Sequence, residues 1–249
     1  MAGDSIESAA SGFAFQVERF YASLISAGNI VKGPGQEPSL GGRLLYAGEL
    51  DAEARALLVA ANIAGAASLA ATADAAAGKQ AIRDGVVDFL VTSLDEALRI
   101  LKNEIRKRET VAVCVAAASE AVEGEMLRRG VAPDLARPRA VVAPPESQAL
   151  LTWNVASAPA IWLPKLDAVA AACLQLKDET ARRWLRLAPR YLGRLARGSR
   201  LLVCHPDVPA EFIERARRCV EAREIPVPVE IQVTRSGTND QICLVRKGL

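Results

Sequence analysis

His205 is the only histidine of the chain, and it stands in Leu202-Val203-Cys204-His205-Pro206-Asp207, with a thiol, an imidazole and a carboxylate close together. Such a trio is raw material for nucleophilic catalysis or for holding a metal. The spacing suits neither. Adjacent residues of a strand point to opposite faces, so Cys204 and His205 are not expected to meet. One histidine, one thiol and one carboxylate are also too few for a zinc-type centre. No metal is expected. His205 and Asp207 stay as ligand candidates at a strand end, with Asp207 expected to cap the helix that follows from Pro209. A second constellation lies between Ala181 and Arg200: arginines 182, 183, 186, 190, 194, 197 and 200, no acidic residue, and the aromatics Trp184 and Tyr191. Arginine interleaved with aromatics can grip phosphates and stack bases. It equally suits a solvated helical face that pairs with acids of its own chain or of a partner. Arg183, Arg186, Arg190 and Arg194 form the candidate anion or partner patch. Leu185, Leu187, Leu192 and Leu195 supply an apolar side, and Pro189 is expected to divide the run into two short helices. The chain has no G-x-S-x-G elbow, no Walker-type loop and no H-E-x-x-H, which closes the familiar hydrolase, NTPase and zincin routes at the level of motifs.

Bulk properties narrow the field further. A length of 249 residues with 51% hydrophobic residues supports a large core. A net charge of +2, from 31 basic and 29 acidic side chains, gives no general pull toward nucleic acid or an anionic membrane. Cysteines 114, 173, 204, 219 and 243 are odd in number and lack a C-x-x-C pair, a usage that fits reduced, buried thiols. No basic segment followed by an apolar run opens the chain, and no stretch of 18 apolar residues occurs in it. The expectation is a cytoplasmic protein with no membrane span and no strong nucleic-acid signal, working with a small molecule, with further copies of itself or with a protein partner.

The elements that must position these residues follow a strand–helix rhythm. Phe13, Val17, Phe20, Tyr21 and Leu24 mark one face of a helix from Asp4 to about Ser26. Residues 27–42, rich in glycine and proline, read as an exposed linker. Then come strand 43–47, helix 52–63, strand 67–71, a short helix near 79–83, strand 86–91, helix 94–106 with a Ser93/Glu96 capping box, and strand 111–115. A helix from about 121 to 129 and proline-rich 132–145 follow. Beyond, Leu166, Val169, Cys173, Leu176 and Trp184 trace one long helix. Strand 201–204, helix 209–223 and strands 227–234 and 241–246, joined through 236–240 as an antiparallel hairpin, complete the chain. The expected fold is α/β: a Rossmann-like, mainly parallel sheet with flanking helices, then a helical segment and a C-terminal β-α-β-β extension that joins the same sheet or stands as a small second domain. The expected division is 1–41 (helix and linker), 42–145 (Rossmann-like) and 146–249. In such sheets ligands lie beyond the carboxyl ends of the strands, which puts Gly48, Glu49, Asp74, Thr92, Ser93 and Ser119 forward as binding candidates. Asp74 could hold a ribose or cap the next helix.

Three pieces of this stretch carry a family likeness: Gly42-Arg43-Leu44-Leu45-Tyr46-Ala47-Gly48; Asp88 through Thr92-Ser93-Leu94-Asp95-Glu96-Ala97-Leu98; and Leu127-Arg128-Arg129-Gly130-Val131-Ala132-Pro133-Asp134. The run from Gly42 to Asp134 resembles the central NAD-binding domain of urocanase, the hydratase of histidine breakdown. The resemblance implies a dinucleotide-binding fold and lyase ancestry. It also implies a glycine cluster after the first strand, where this chain reads Gly48-Glu49-Leu50-Asp51-Ala52-Glu53-Ala54-Arg55. Glu49, Asp51 and Glu53 would set three negative charges where a diphosphate should sit, while Asp51 also reads as an N-cap. After Asp134, where urocanases continue into polar residues near their active site, the chain has Leu135-Ala136-Arg137-Pro138, and no segment resembles the family's catalytic cysteine region. The expectation is a urocanase-related protein without hydratase activity, with no cofactor and NAD disfavoured. The alternatives are a lyase-type enzyme with a nucleotide in a modified pocket, or a scaffold using arginines 182–200.

Overall fold

The computed structural model describes residues 2–28, 38–138, 147–175, 178–235 and 238–245. The chain divides into two compact units, Met1–Val142 and Ala143–Leu249.

The first unit opens with helix α1 (Ala2–Ala27) and continues as β1 (Leu44–Glu49), α2 (Ala52–Ala64), β2 (Ala67–Ala71), α3 (Ala75–Arg83), β3 (Phe89–Val91), α4 (Leu94–Lys107), β4 (Val111–Val115) and α5 (Ser119–Arg128). Its four strands are all parallel in the order β1-β2-β4-β3. One face of the sheet (Leu44, Leu69, Val111, Val113, Val115) packs against Leu94, Ala97 and Leu101 of α4 and Val122 and Met126 of α5. The alternate residues, among them Leu45, Ala70 and Cys114, turn to the opposite face and are buried there. α2 adjoins β1, β2 and β4, and α1 covers α2 in turn. That double cover explains why ten of the thirteen α2 residues are buried and why its sequence is dominated by alanine, leucine and valine rather than by an amphipathic stripe.

The local signals behave as their chemistry dictates. Asp51, Asp74 and Ser93 each cap the helix that follows by accepting backbone N–H groups. In the Ser93/Glu96 pair, Ser93 Oγ accepts the Glu96 N–H at 3.3 Å, but the Glu96 carboxylate reaches one residue further back, to the N–H and hydroxyl of Thr92. Asp74 starts α3 four residues earlier than the expected 79, and α5 starts at Ser119 instead of 121. β3 is shorter than expected because the N–H groups of Val86 and Val87 bond back to Ala81 in the turn after α3. At the end of the linker Leu40 is buried and bonds to Ala64, so that end is packed, not exposed; residues 29–37 of the linker lie outside the described residues.

The second unit contains β5 (Ala149–Val155), α6 (Pro159–Cys173), α7 (Glu179–Leu192), a 3-10 turn (Gly193–Ala196), β6 (Ser199–Cys204), α8 (Val208–Glu221), β7 (Val229–Arg235) and β8 (Thr238–Leu244). β5 was not expected, and it is the central organiser: it pairs antiparallel with β6 on one side and β7 on the other, giving the order β6-β5-β7-β8. The C-terminal strands therefore form their own antiparallel sheet and do not join the parallel one. The expected long helix from 166 to 184 is two helices, because Leu174 turns extended and Asp178 bonds the N–H of Gln175; Leu176 lies outside the described residues. Pro189 does not split α7, which tolerates the one hydrogen bond lost there and runs on to Leu192; the chain turns instead at Gly193, whose φ is +55°. Thr238, Asn239 and Asp240, expected in the hairpin turn, pair with Arg235, Thr234 and Val233 within β8. Among the described residues no helix is long and apolar enough to cross a membrane.

Candidate functional site

The register of the parallel sheet lines up the carboxyl ends. Glu49 pairs with Ala71, Ala71 with Val115 and Val115 with Val91, one row across four strands. The residues just beyond that row are Thr72 and Asp74, Thr92 and Ser93, and Ala116 to Ser119. The structure thus brings Gly48, Glu49, Asp74, Thr92, Ser93 and Ser119 to one end of one sheet. The chain leaves β2 for α3, whose Gly78 sits against Leu90 on the Cys114 face. It leaves β4 for α5, on the opposite face. Neighbouring strands that depart to opposite faces define a topological switch point, where this class of sheet opens a crevice.

The turn after β1 is closed by the chain itself. Gly48 adopts φ +78° at a register shift in β1. Asp51 Oδ1 accepts the Ala54 N–H at 2.7 Å, so a first-turn amide of α2 already has a partner. Arg137, 84 to 90 residues further along the chain, reaches over this turn. It donates to the Ala47 carbonyl at 3.0 Å, to Asp51 at 3.2 Å and to Glu53 at 2.5 Å. A side chain added at Gly48 would meet Arg137 Nη1 at 3.8 Å. Two of the three negative charges expected to stand bare at this turn are therefore paired. Arg137's own proton is held more firmly than usual by its hydrogen bonds to Glu53 and Asp51, against the opposing effect of its burial.

Arg137 is brought there by its approach along β1. Asp134 accepts the Leu44 N–H at 2.8 Å. The Leu135 N–H donates to the Leu44 carbonyl at 3.0 Å, in a parallel bridge with Leu45. This short arm covers the open edge of β1, as sheet edges generally require.

The rest of the sheet's end is acidic, and burial there keeps a phenol and a thiol protonated. The Tyr46 hydroxyl donates to the Ser119 carbonyl at 3.2 Å. Burial, with the charges of Glu123, Glu49 and Glu120, raises its pKa. Burial and Glu49 push the Cys114 thiol up to about 12, so it is no nucleophile at neutral pH. Ser119 is buried at the first position of α5, whose start has no side-chain cap. Asp74 is committed to Ala76 and Ala77 as a cap, and Thr92 and Ser93 serve the start of α4.

In the second unit, His205 Nδ1 lies 3.2 Å from Asp207 Oδ2, and both side chains are exposed. Asp207 occupies the N-cap position of α8 but makes no side-chain cap bond, contrary to expectation: its backbone is helical there and its carboxylate is turned to His205. Cys204 is buried beside the Ala149 carbonyl, away from this pair, and burial pushes its thiol up to about 12. Among the described residues no group of three His, Cys, Asp or Glu side chains could hold a metal ion. The arginine run is not one patch. Arg183 is buried within α7, whereas Arg186, Arg190 and Arg194 are exposed, with Arg190 over the Tyr191 ring at 5.4 Å. Arg182 donates to the carbonyls of Ala171 and Leu174. Arg200 pairs with Asp167 at 2.8 Å, and Asp167 also accepts the Trp153 indole N–H.

Residues 25–141 match the family model of the urocanase Rossmann-like domain. With the parallel sheet, its helices and its switch point in the same residues, residues 25–141 form a urocanase-like Rossmann-like domain.

Proposed function

We propose that this urocanase-related protein has lost urocanate hydratase activity and tight NAD binding, and that its remaining site takes a different small ligand at the carboxyl ends of the strands. The observation that supports this reading is Arg137 locked between Ala47, Asp51 and Glu53 over the first turn. A dinucleotide needs free backbone N–H groups at a helix N-terminus and glycines that let its diphosphate approach. Here Asp51 takes the Ala54 N–H, two carboxylates stand at that end of α2, and a guanidinium covers the turn. NAD does not fit these residues. Glu49, Glu120 and Glu123, whose charges all act on Tyr46, add a potential that disfavours anions. The carboxyl ends of the strands suit a neutral or cationic small molecule, in a cytoplasmic protein. Titration of the full chain with NAD, followed by thermal shift and calorimetry, is expected to give no change at about 1 mM. A rise of several degrees at that concentration, which requires a Kd far below it, would overturn the reading. Urocanate consumption should stay at the uncatalysed background with and without added NAD.

A further inference from the structure

The arm that carries Arg137 is built from three parts of unequal strength. Its hinge is the end of α5. Gly130 has φ +65° and accommodates the turn with open space around it. The Gly130 N–H bonds to Leu127 and the Val131 N–H to Met126, the paired closure that ends a helix on a left-handed residue. Its seat is Asp134 and Leu135 on Leu44, with Leu135 buried between exposed neighbours. Its latch is Arg137, whose carboxylate partners Asp51 and Glu53 have side chains 50% and 47% exposed. One isolated bridge, one buried leucine and single hydrogen bonds from Leu44 to Asp134 and from Arg137 to Ala47 hold the arm to β1, whereas β1 and β2 share five paired positions. Segments with few buried apolar contacts open with a free energy far below that of global unfolding.

We propose that residues 131–137 form a strap that opens and closes over the first strand–helix turn as one piece, while the sheet stays folded. Closed, it pairs the edge of β1 and covers the polar end of α2; open, it uncovers both. The proposal rests on the reading that Arg137 closes this turn, but it concerns motion, and the measurement that decides it is made without NAD. The latch is a cluster of half-exposed charges, so salt weakens it, whereas the apolar seat is indifferent to salt.

Hydrogen exchange on the full chain, followed by mass spectrometry at low salt and at about 1 M salt, where screening acts within about 3 Å, reads this directly. Arg137→Ala is expected to speed exchange at the Leu44 and Leu135 amides by about tenfold, although Arg137 touches neither. Segments 67–71 and 111–115 should keep their rates. High salt should reproduce the effect in the unmodified chain and add little in the variant. Unchanged rates at Leu44 and Leu135 would overturn the strap, as would equal acceleration throughout the first unit, which would make Arg137 a general stabiliser. Arg137→Lys keeps the charge but cannot bridge three acceptors in one plane, so it should fall between the two. NAD titration of the same proteins keeps the two readings apart: a strap that fails to open leaves the lack of NAD binding as it stands.

Discussion

The two sheets of this protein meet the same demand for burial in opposite ways. β2 and β4 are buried at every residue, because helices cover both faces of the parallel sheet. Their residues, Ala-Ser-Leu-Ala-Ala and Val-Ala-Val-Cys-Val, are accordingly small and almost wholly apolar. β5 and β7 are buried at alternate residues only. Leu151, Trp153, Val229 and Ile231 face the interior, where Trp153 meets Phe212 of α8 at 5.0 Å, while Thr152, Glu230 and Gln232 face away. In the first sheet each residue is constrained individually; in the second the constraint belongs to a face. The largest test of that contrast is Trp153→Ala, which empties the interior face and frees Asp167 of its indole partner. It should cost roughly 3–5 kcal/mol, against less than about 0.5 kcal/mol for Thr152→Ala one position away. In β2 no such harmless neighbour exists. Leu69→Ala should cost about 2–5 kcal/mol, and Ala70→Leu, on the opposite face, about 1–3 kcal/mol through overpacking. Denaturant midpoints for the four variants decide it; equal costs at Thr152 and Trp153 would erase the distinction.

The same contrast governs what could be read from the residues alone. Runs such as Val111–Val115, set between helices with clear stripes and caps, announce a parallel sheet without ambiguity, and α4 emerged within one residue of its expected end. β5 carries an equally legible sign, Leu151, Trp153 and Val155 alternating with Thr152 and Asn154, which the proline-rich stretch before it obscures. Asp51 and Asp74 were legible as caps because a cap is a local event. Arg137 was not, since its role depends on carboxylates more than eighty residues earlier in the chain. The carboxylates after β1 are plain in the sequence, but the cation that pairs Asp51 and Glu53 is a product of topology. Pairing across such a distance leaves no periodic trace.

Burial of α2 on both sides carries a cost of its own, concentrated at Glu18 of α1, a carboxylic acid buried among the residues that cover α2. Removal from water raises its pKa from 4.5 to about 7, a rise that the adjacent charge of Arg19 only partly offsets. The acid is thus more easily ionised in the unfolded chain than in the folded one. Its neutral form supports the fold fully below about pH 4.5, and that contribution fades as pH rises through about 7. A rise of this size corresponds to about 3 kcal/mol. Glu18→Gln should therefore raise stability by up to about that amount at pH 8 and leave it nearly unchanged at pH 4. Unfolding curves at the two pH values provide the check, and an equal effect at both would show that the folded protein hydrates this carboxylate.

Helix ends offer the finest comparison, because here the two units share a solution despite their different sheets. α2 and α5 end on glycines in the left-handed region, Gly65 and Gly130, where the missing side chain makes that conformation easy. α4 and α8 close with the same hydrogen bonds, Glu109 to Glu104 and Glu224 to Cys219, yet the left-handed position holds Arg108 at φ 61° and Arg223 at φ 65°. An L-residue there costs about 1–2 kcal/mol, and both arginines are exposed. Arg108→Gly and Arg223→Gly should each stabilise the protein by about 0.5–1 kcal/mol, the strain relieved exceeding the entropy that glycine adds to the unfolded chain. The two gains should be equal and additive, because the sites lie in separate units. Thermal midpoints of the single and double variants measure this. A gain at Arg223 without one at Arg108 would mean that the Arg108 side chain contributes beyond its backbone. The candidate contact is the close approach to Gly41, where an added Cβ would come within 3.2 Å of the Arg108 Cβ.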